Sequence, residues 1–350
     1  MGIDYSSKMS DLVFTYDEDF YPLDENLPDP QIDPIIPGAK VPIQKVGIAP
    51  VDMPIHVKRR DNEDSEKLMA QASLYCSLDD PEAKGLNLSR FYLLMHEKMA
   101  DKDALGSMQD VLKEMASKQG SNNAYVKLRF KYPWMQEALR TRKFMLKKGE
   151  QNSSNSYLVD EEHGHYLEDG TWISHKKMEG HIAYDIEFEG RYHAIDITDD
   201  DTGRPDKEFK YYLTVDYIYS STCPCSFELA HDAKEKRNAA ANAHSQRSRA
   251  RVTIEFDPEN VVWIEDVIEL CRQNIPTEVQ VVVKRRDEQA FAELNGSNLL
   301  FSEDVCRIMY KALDENELVK DFSVVVEHFE SLHPWNAVGV IYKGIEGGLR

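Results

Sequence analysis

Two thiols and an imidazole lie close together between Ser221 and Ser248, in the order Ser-Thr-Cys223-Pro-Cys225-Ser and then His244-Ser-Gln-Arg247-Ser. Thiolate and imidazole are the side chains that bind zinc and related divalent ions, and a thiolate is also a nucleophile. The Cys-x-Cys spacing is shorter than the Cys-x-x-Cys of zinc ribbons, and no second pair follows it, which disfavours a closed four-ligand site. An open site fits better: one or two thiolates, an imidazole and a carboxylate, with a position left for water. His231, in the same connection, competes with His244 as the imidazole. A polar turn with two inert thiols is the plain alternative, and the residues alone leave both open. A redox disulfide between Cys223 and Cys225 is disfavoured by the strain of a single intervening residue.

Three more segments carry chemistry. Lys284-Arg285-Arg286-Asp287-Glu288 sets three cations before two carboxylates. With the planar fork of Arg247, the cations suit a polyphosphate, and Glu288 is a third kind of metal ligand. The ordinary meaning of such a run is a solvated strand end. Glu303 falls in the first turn of an expected helix, where the helix dipole already favours it. A carboxylate there can also accept hydrogen bonds from the N1–H and exocyclic amine of a guanine, each worth about 1.5–3 kcal/mol. His333 lies before Pro334 in a turn, and histidine is the residue type most often used as a proton donor.

Other motifs are set aside. His163-Gly164-His165 has no cysteine near it and reads as surface. Asp199–Gly203 resembles a calcium loop, but the twelfth position of that loop is Phe209 rather than an acid. No P-loop or Rossmann glycine pattern occurs.

These segments need a scaffold to bring them together. The chain has 350 residues, enough for one large domain or two moderate ones. Its formal charge of −20 argues against a broad nucleic-acid surface, while allowing a local basic pocket for an anionic small molecule. No run of about 18 apolar residues and no signal-like N-terminus is present, so neither a membrane span nor secretion is expected. Five cysteines without framework spacing point to reduced thiols in the cytoplasm, with Cys76, Cys271 and Cys306 as core residues.

Residues 1–40, acidic and proline-rich, read as an extended arm. Alternation predicts strands over 41–57 and 68–78. Helical spacing then follows at Phe91, Leu94 and Met95, and again from Leu105 to Met115, ending at Gly120. Strands return at Ala124–Tyr132 and Ile182–Ile195, separated by a polar excursion over 149–180. The second half repeats the order. Strands are expected at Lys210–Tyr219 and Arg251–Phe256, the latter after an Ala-rich helix at Ala239–Ala243. Then come a helix at Val261–Cys271, an extended Val279–Val283, a helix N-capped by Ser302, and strands Phe322–Phe329 and Ala337–Tyr342. The expectation is an α+β fold of two tandem β-β-α-α-β-β units, 41–200 and 201–350, with antiparallel sheets and the helices on one face. The second unit carries the Cys/His/Glu site.

The ordered set Cys-Pro-Cys-Ser, His-x-Gln-Arg-Ser, Trp263-Ile-Glu-Asp, Lys-Arg-x-Asp-Glu, Phe-x-Glu-Asp and His-Pro-x-Asn resembles the type IB GTP cyclohydrolase I family. The Ser89-Arg90-Phe91 segment matches too, and the resemblance covers roughly residues 40–345. It implies tandem tunnelling-fold units assembling into a homotetramer, with active sites between subunits. It also implies one divalent metal ion per site (zinc, manganese or iron), held by Cys223, His244 and Glu288. Glu303 would anchor guanine, and His333 would be catalytic, alongside Cys223, with Cys225 as a further ligand or supporting thiol. Lys284, Arg285, Arg286 and Arg247 are candidates for the phosphates. The implied reaction is hydrolysis of GTP at C8 to formate and 7,8-dihydroneopterin triphosphate. A variant releasing a cyclic phosphate, and a non-enzymatic purine- or pterin-binding protein, stay open beside it. The chain departs from the family at Asn87, where histidine is common, and in its long Cys223-to-His244 connection.

Overall fold

A computed structural model describes residues 36, 38–60, 62–140, 145–146, 164–166, 168, 172–174, 178–194, 207–345 and 348–349. Most of the N-terminal arm, much of the 149–180 excursion, His163 and the Asp199–Gly203 motif lie outside them.

In chain order the elements are β1 (Ile43–Arg59), β2 (Asn62–Leu78), α1 (Leu88–Lys98), α2 (Ala104–Gln119) and β3 (Asn123–Glu137). Three short strands follow, β4 (Met145–Leu146), β5 (Gly164–Tyr166) and β6 (Trp172–Ser174), then β7 (Glu179–Ala194) and β8 (Lys207–Thr222). The chain continues through α3 (Pro224–Arg237), β9 (Ser245–Phe256), α4 (Ile264–Asn274), α5 (Arg285–Ser297), α6 (Ser302–Asp314), β10 (Val319–His328) and β11 (Ala337–Tyr342). Eight strands form one antiparallel sheet in the order β1-β2-β3-β7-β8-β9-β10-β11, and β4-β6-β5 form a small second sheet.

Side chains alternate across a strand, so register decides which residues share a face. Ala72, Leu128, Phe188, Leu213, Ile254 and Phe322 pair in a row across six strands, and all six are buried. Phe91 and Met95 of α1, Met108 and Leu112 of α2, Ile268 of α4 and Met309 of α6 join them in one core. Burying each such side chain contributes roughly 1.5–3 kcal/mol. The neighbouring row, Gln71-Arg129-Glu187-Thr214-Thr253-Ser323, is polar and faces the other way. There Lys127 bridges Glu187 and Glu189 (2.7 and 3.0 Å), and Arg251 reaches Asp216 (3.1 Å).

Three local expectations are corrected. The helix before His244 is α3 rather than Ala239–Ala243. Pro224 starts it at the position where a missing N–H costs nothing, and Asn238 stops it in the left-handed conformation (φ 47°), leaving the alanines in irregular chain. Val279–Val283 is not a strand: one bridge joins Glu278 to Tyr219, and Lys284 is the N-cap of α5 rather than a strand end. The N-cap of α6 is Phe301, not Ser302, because the Asp304 carboxylate accepts the Phe301 N–H (3.1 Å). Gly339 lets α6 lie close against β11, since a Cβ there would come within 2.7 Å of Cys306 Sγ.

Candidate active site at one end of the sheet

The strands β8, β9 and β10 finish together. Thr222 pairs with Ser245, Ser221 with Gln246, and Ser248 with both Tyr219 and His328. One step past the ladder, the Cys223 N–H donates to His244 O (3.3 Å), and the His244 N–H donates to Ser226 Oγ (3.2 Å). The two ends of the long connection are thus tied back to back. Cys223 is the N-cap of α3, and Cys225 is exposed in the first turn. His231 is exposed on α3 and paired with Glu235 (3.5 Å), so His244 is the imidazole beside Cys223.

Under these residues runs a polar row on the helix-covered face. His244 Nδ1 meets Gln246 Oε1 (3.1 Å), and Gln246 Nε2 donates to Ser221 Oγ (2.7 Å). Ser221 and Ser248 share a hydrogen bond (2.7 Å), and Tyr219 OH bonds His328 Nε2 (2.9 Å). Burial holds His328 below the usual histidine range, against the pull of the Glu330 and Glu303 carboxylates. The row fixes the orientation of His244 through groups that are themselves fixed.

Glu330 completes this cluster. Its Oε2 lies 3.8 Å from His244 Nδ1 in a side chain only 11% exposed, and that oxygen has no hydrogen-bond partner. A buried carboxylate oxygen without a donor is costly unless a proton or a cation satisfies it. Thiol, imidazole and carboxylate are the donor types a divalent ion takes, so the kinds of residue at this strand end fit such a group. Among the described residues, however, no three His, Cys, Asp or Glu side chains gather closely enough to form a ligand set within one chain.

The remaining candidates are spread around this end. Glu288 is exposed in the first turn of α5 and is not drawn into a ligand set with Cys223 and His244. Lys284, Arg285 and Arg286 crowd the same helix start. Burial, and then the charge of Arg286, holds the Lys284 ammonium below its usual range. The turn is anchored by fully buried Asp287, which accepts the N–H groups of Lys284 (2.9 Å) and Arg140 (2.8 Å). Glu303 is exposed at the start of α6 and receives Ser302 Oγ (3.0 Å). His333 is exposed in the β10–β11 hairpin, stacked on Trp335. Arg247 is exposed on the opposite face from Gln246 and Ser248, because it lies one residue out of phase with them. A cavity of about 310 Å³ between α2 and the start of α4 is lined by Phe130, Phe188, Tyr211, Phe256 and Trp263, with no thiol or imidazole.

The family model for type I GTP cyclohydrolase folE2 matches residues 28–168 and 165–339. The GTP cyclohydrolase FolE2 of Dinoroseobacter shibae is 35% identical over 325 residues, covering 91% of this chain and 75% of that protein. The GTP cyclohydrolase FolE2 of a Ruegeria species is 34% identical over 349 residues, covering 95% and 79%. The chain belongs to this family. Among solved structures, the urate oxidase of Bacillus sp. TB-90 superimposes with a TM-score of 0.44 at 6% identity, covering 86% of this chain and 99% of that one. No helix among the described residues is long and apolar enough to cross a membrane.

In this folE2 family member the residues that sequence reasoning missed are Glu330 and Gln246. Glu330 is a lone acid in a hairpin and is found only by following the register of β9 and β10 past their ends. Gln246 had a signal: it is two residues from His244 in a strand, which places both on one face.

Proposed function

We propose that the sheet end built by Cys223, His244 and Glu330 is the catalytic centre of this GTP cyclohydrolase, a type IB hydrolase of folate and pterin biosynthesis. The observation that carries the assignment is the unsatisfied Glu330 oxygen facing His244, beside Cys223, in a chain of this family. A zinc, manganese or iron ion held there would supply a bound water whose pKa falls toward ~7. Cys223 and His244 are the ligands tied together by backbone, Glu330 is a third donor, and Glu288 reaches the set in the assembled protein. The Gln246–Ser221–Ser248 row keeps the imidazole in one orientation, as partners behind a ligating histidine do.

The substrate is GTP, and each part of it meets a group suited to it. Glu303 accepts the N1–H and exocyclic amine of guanine. Lys284, Arg285 and Arg286 meet the triphosphate at a helix start, where the helix dipole also favours anions. Arg247, on the other face, is left out of its own chain's phosphate set. His333 donates a proton to the imidazole ring of guanine so that water can add at C8. Two hydrolytic steps release C8 as formate, and the ribose carbons then close the new ring of 7,8-dihydroneopterin triphosphate.

An incomplete ligand set within one chain supports an active site completed by a second copy. Strands β1 and β11 are the two edges of the sheet, and Val338, Val340 and Tyr342 expose an apolar stripe along β11. Edge pairing between copies would close two open sheets into a barrel, consistent with tandem tunnelling-fold units in a cytoplasmic homotetramer. Native mass spectrometry of the purified chain should show the tetramer; a monomer with full turnover would refute the shared site. The activity test is incubation with GTP and each of Zn²⁺, Mn²⁺ and Fe²⁺, followed by oxidation and neopterin fluorescence. Formate and neopterin should appear together. Intact GTP with every metal would remove the assignment, and mass spectrometry of the product separates the linear triphosphate from a cyclic phosphate.

A further inference from the structure

His333 and Trp335 flank Pro334 in the hairpin between β10 and β11. Their rings are parallel within 7°, with centroids 4.2 Å apart. Trp335 is 58% exposed and outside the hydrophobic core, so the indole is not there to fill it.

The base of the hairpin is pinned on both sides. The Phe329 N–H donates to Arg247 O (3.1 Å), the Glu330 N–H to His328 O (2.9 Å), and the Asn336 amide to Glu327 Oε1 (3.3 Å). Pro334 fixes its own φ between the two rings. Pro334 also restricts the backbone of the residue before it, and a flat ring laid on one face of the imidazole limits rotation about the His333 side-chain bonds.

We propose that Trp335 is a positioning residue for His333, its indole holding the plane of the imidazole so that a ring nitrogen points at the substrate. The inference rests on the reading of His333 as the proton donor. Trp335 has no bond to make or break. It acts by keeping the donor in its productive geometry, and a misplacement of about 1 Å at a reacting group can cost roughly 10²-fold in rate.

The test is a double-mutant cycle in the full-length, metal-loaded protein, with GTP turnover measured as kcat and KM separately. Trp335→Ala should lower kcat by about tenfold or more while KM stays within about twofold, and Trp335→Phe, which keeps a flat ring, should recover most of the loss. Adding Trp335→Ala to His333→Ala should cost nothing further, because a residue that acts through another has no effect once that residue is gone. Melting temperatures of the single variants should match the parent, since both side chains are exposed. Three results would overturn the inference: a loss in KM alone, a Phe variant as impaired as Ala, or a double variant worse than His333→Ala by the full factor of the single change. A His333→Ala variant with parental turnover would overturn the proton-donor reading itself, and is distinguishable because it appears without any change at Trp335.

Discussion

Glu278 and Glu330 are both carboxylates withdrawn from solvent on the helix-covered side of the sheet, yet they are treated in opposite ways. Glu278 receives the Tyr184 hydroxyl, Gln136 Nε2 (2.9 Å) and Arg272 Nε (2.9 Å). Glu330 Oε2 receives nothing and has only the His244 ring 3.8 Å away. Glu265 is intermediate, with the Tyr132 hydroxyl on one oxygen and no partner on the other. Glu278 is thus a structural joint between β3, β7 and α4. Glu330 has a buried oxygen without a donor, as Glu255, Glu265 and Asp321 also do, and what sets it apart is its place beside His244 at the sheet end.

The comparison is sharpest in its consequences for mutation. The largest effect belongs to Cys223→Ala: product formation should fall by at least about 10³-fold with the melting temperature unchanged. Neopterin fluorescence measures the first and calorimetry the second, and a variant with half the parental rate would mean that the site lies elsewhere. Glu330→Gln should cost roughly 10²-fold in turnover and about 10–100-fold in metal affinity. Its stability should hold or rise, because the change removes an uncompensated carboxylate. A clear drop in melting temperature would place Glu330 in the same class as Glu278.

Glu278→Ala should behave in reverse. Removing it leaves half-buried Arg272 and the Tyr184 hydroxyl without their carboxylate, a loss of about 1–3 kcal/mol by urea titration, while the folded fraction keeps its activity. Loss of turnover at unchanged stability would dissolve the distinction. The smallest effect is on the open face. Burial opposes the charges on Glu187 and Glu189, but Lys127 with Arg129 on the first, and Arg191 with Lys127 on the second, outweigh it and hold both carboxyls below their ordinary 4.5. A depressed carboxyl stabilises the fold above its unfolded value and loses that contribution as pH falls through its folded value. Urea midpoints should therefore decline below about pH 4.5, and a Glu187→Gln/Glu189→Gln double variant should show a flatter profile there.

Much of the scaffold was legible because its faces are strongly periodic. The strand at Ala337–Tyr342 and the helix over Val305–Leu313 follow directly from apolar spacing. The helix α5 was not legible that way: it buries only Asp287, Ala290 and Asn295, which gives no apolar stripe to find. Its one signal was the spacing of Lys284 and Asp287, a carboxylate three residues past an N-cap. The site divides on similar lines. Cys223 and His244 stood out by residue type and by their order along the chain. Glu330 did not, because its meaning depends on where β10 ends relative to β9. Arg247 shows the converse, a charge next to the right residues in sequence that register turns to the other side of the sheet.

The hydrogen bond from Cys223 to His244 has a consequence for how this protein can change over time. With the Ser226 hydroxyl on the His244 N–H, it closes the connection at its base, so everything from Phe227 to Ala243 hangs beyond a clasp. Such a segment can lengthen, shorten or acquire a new sequence without moving the thiol or the imidazole. It is the natural place to graft a reporter, an affinity handle or a regulatory peptide within a few residues of the chemistry.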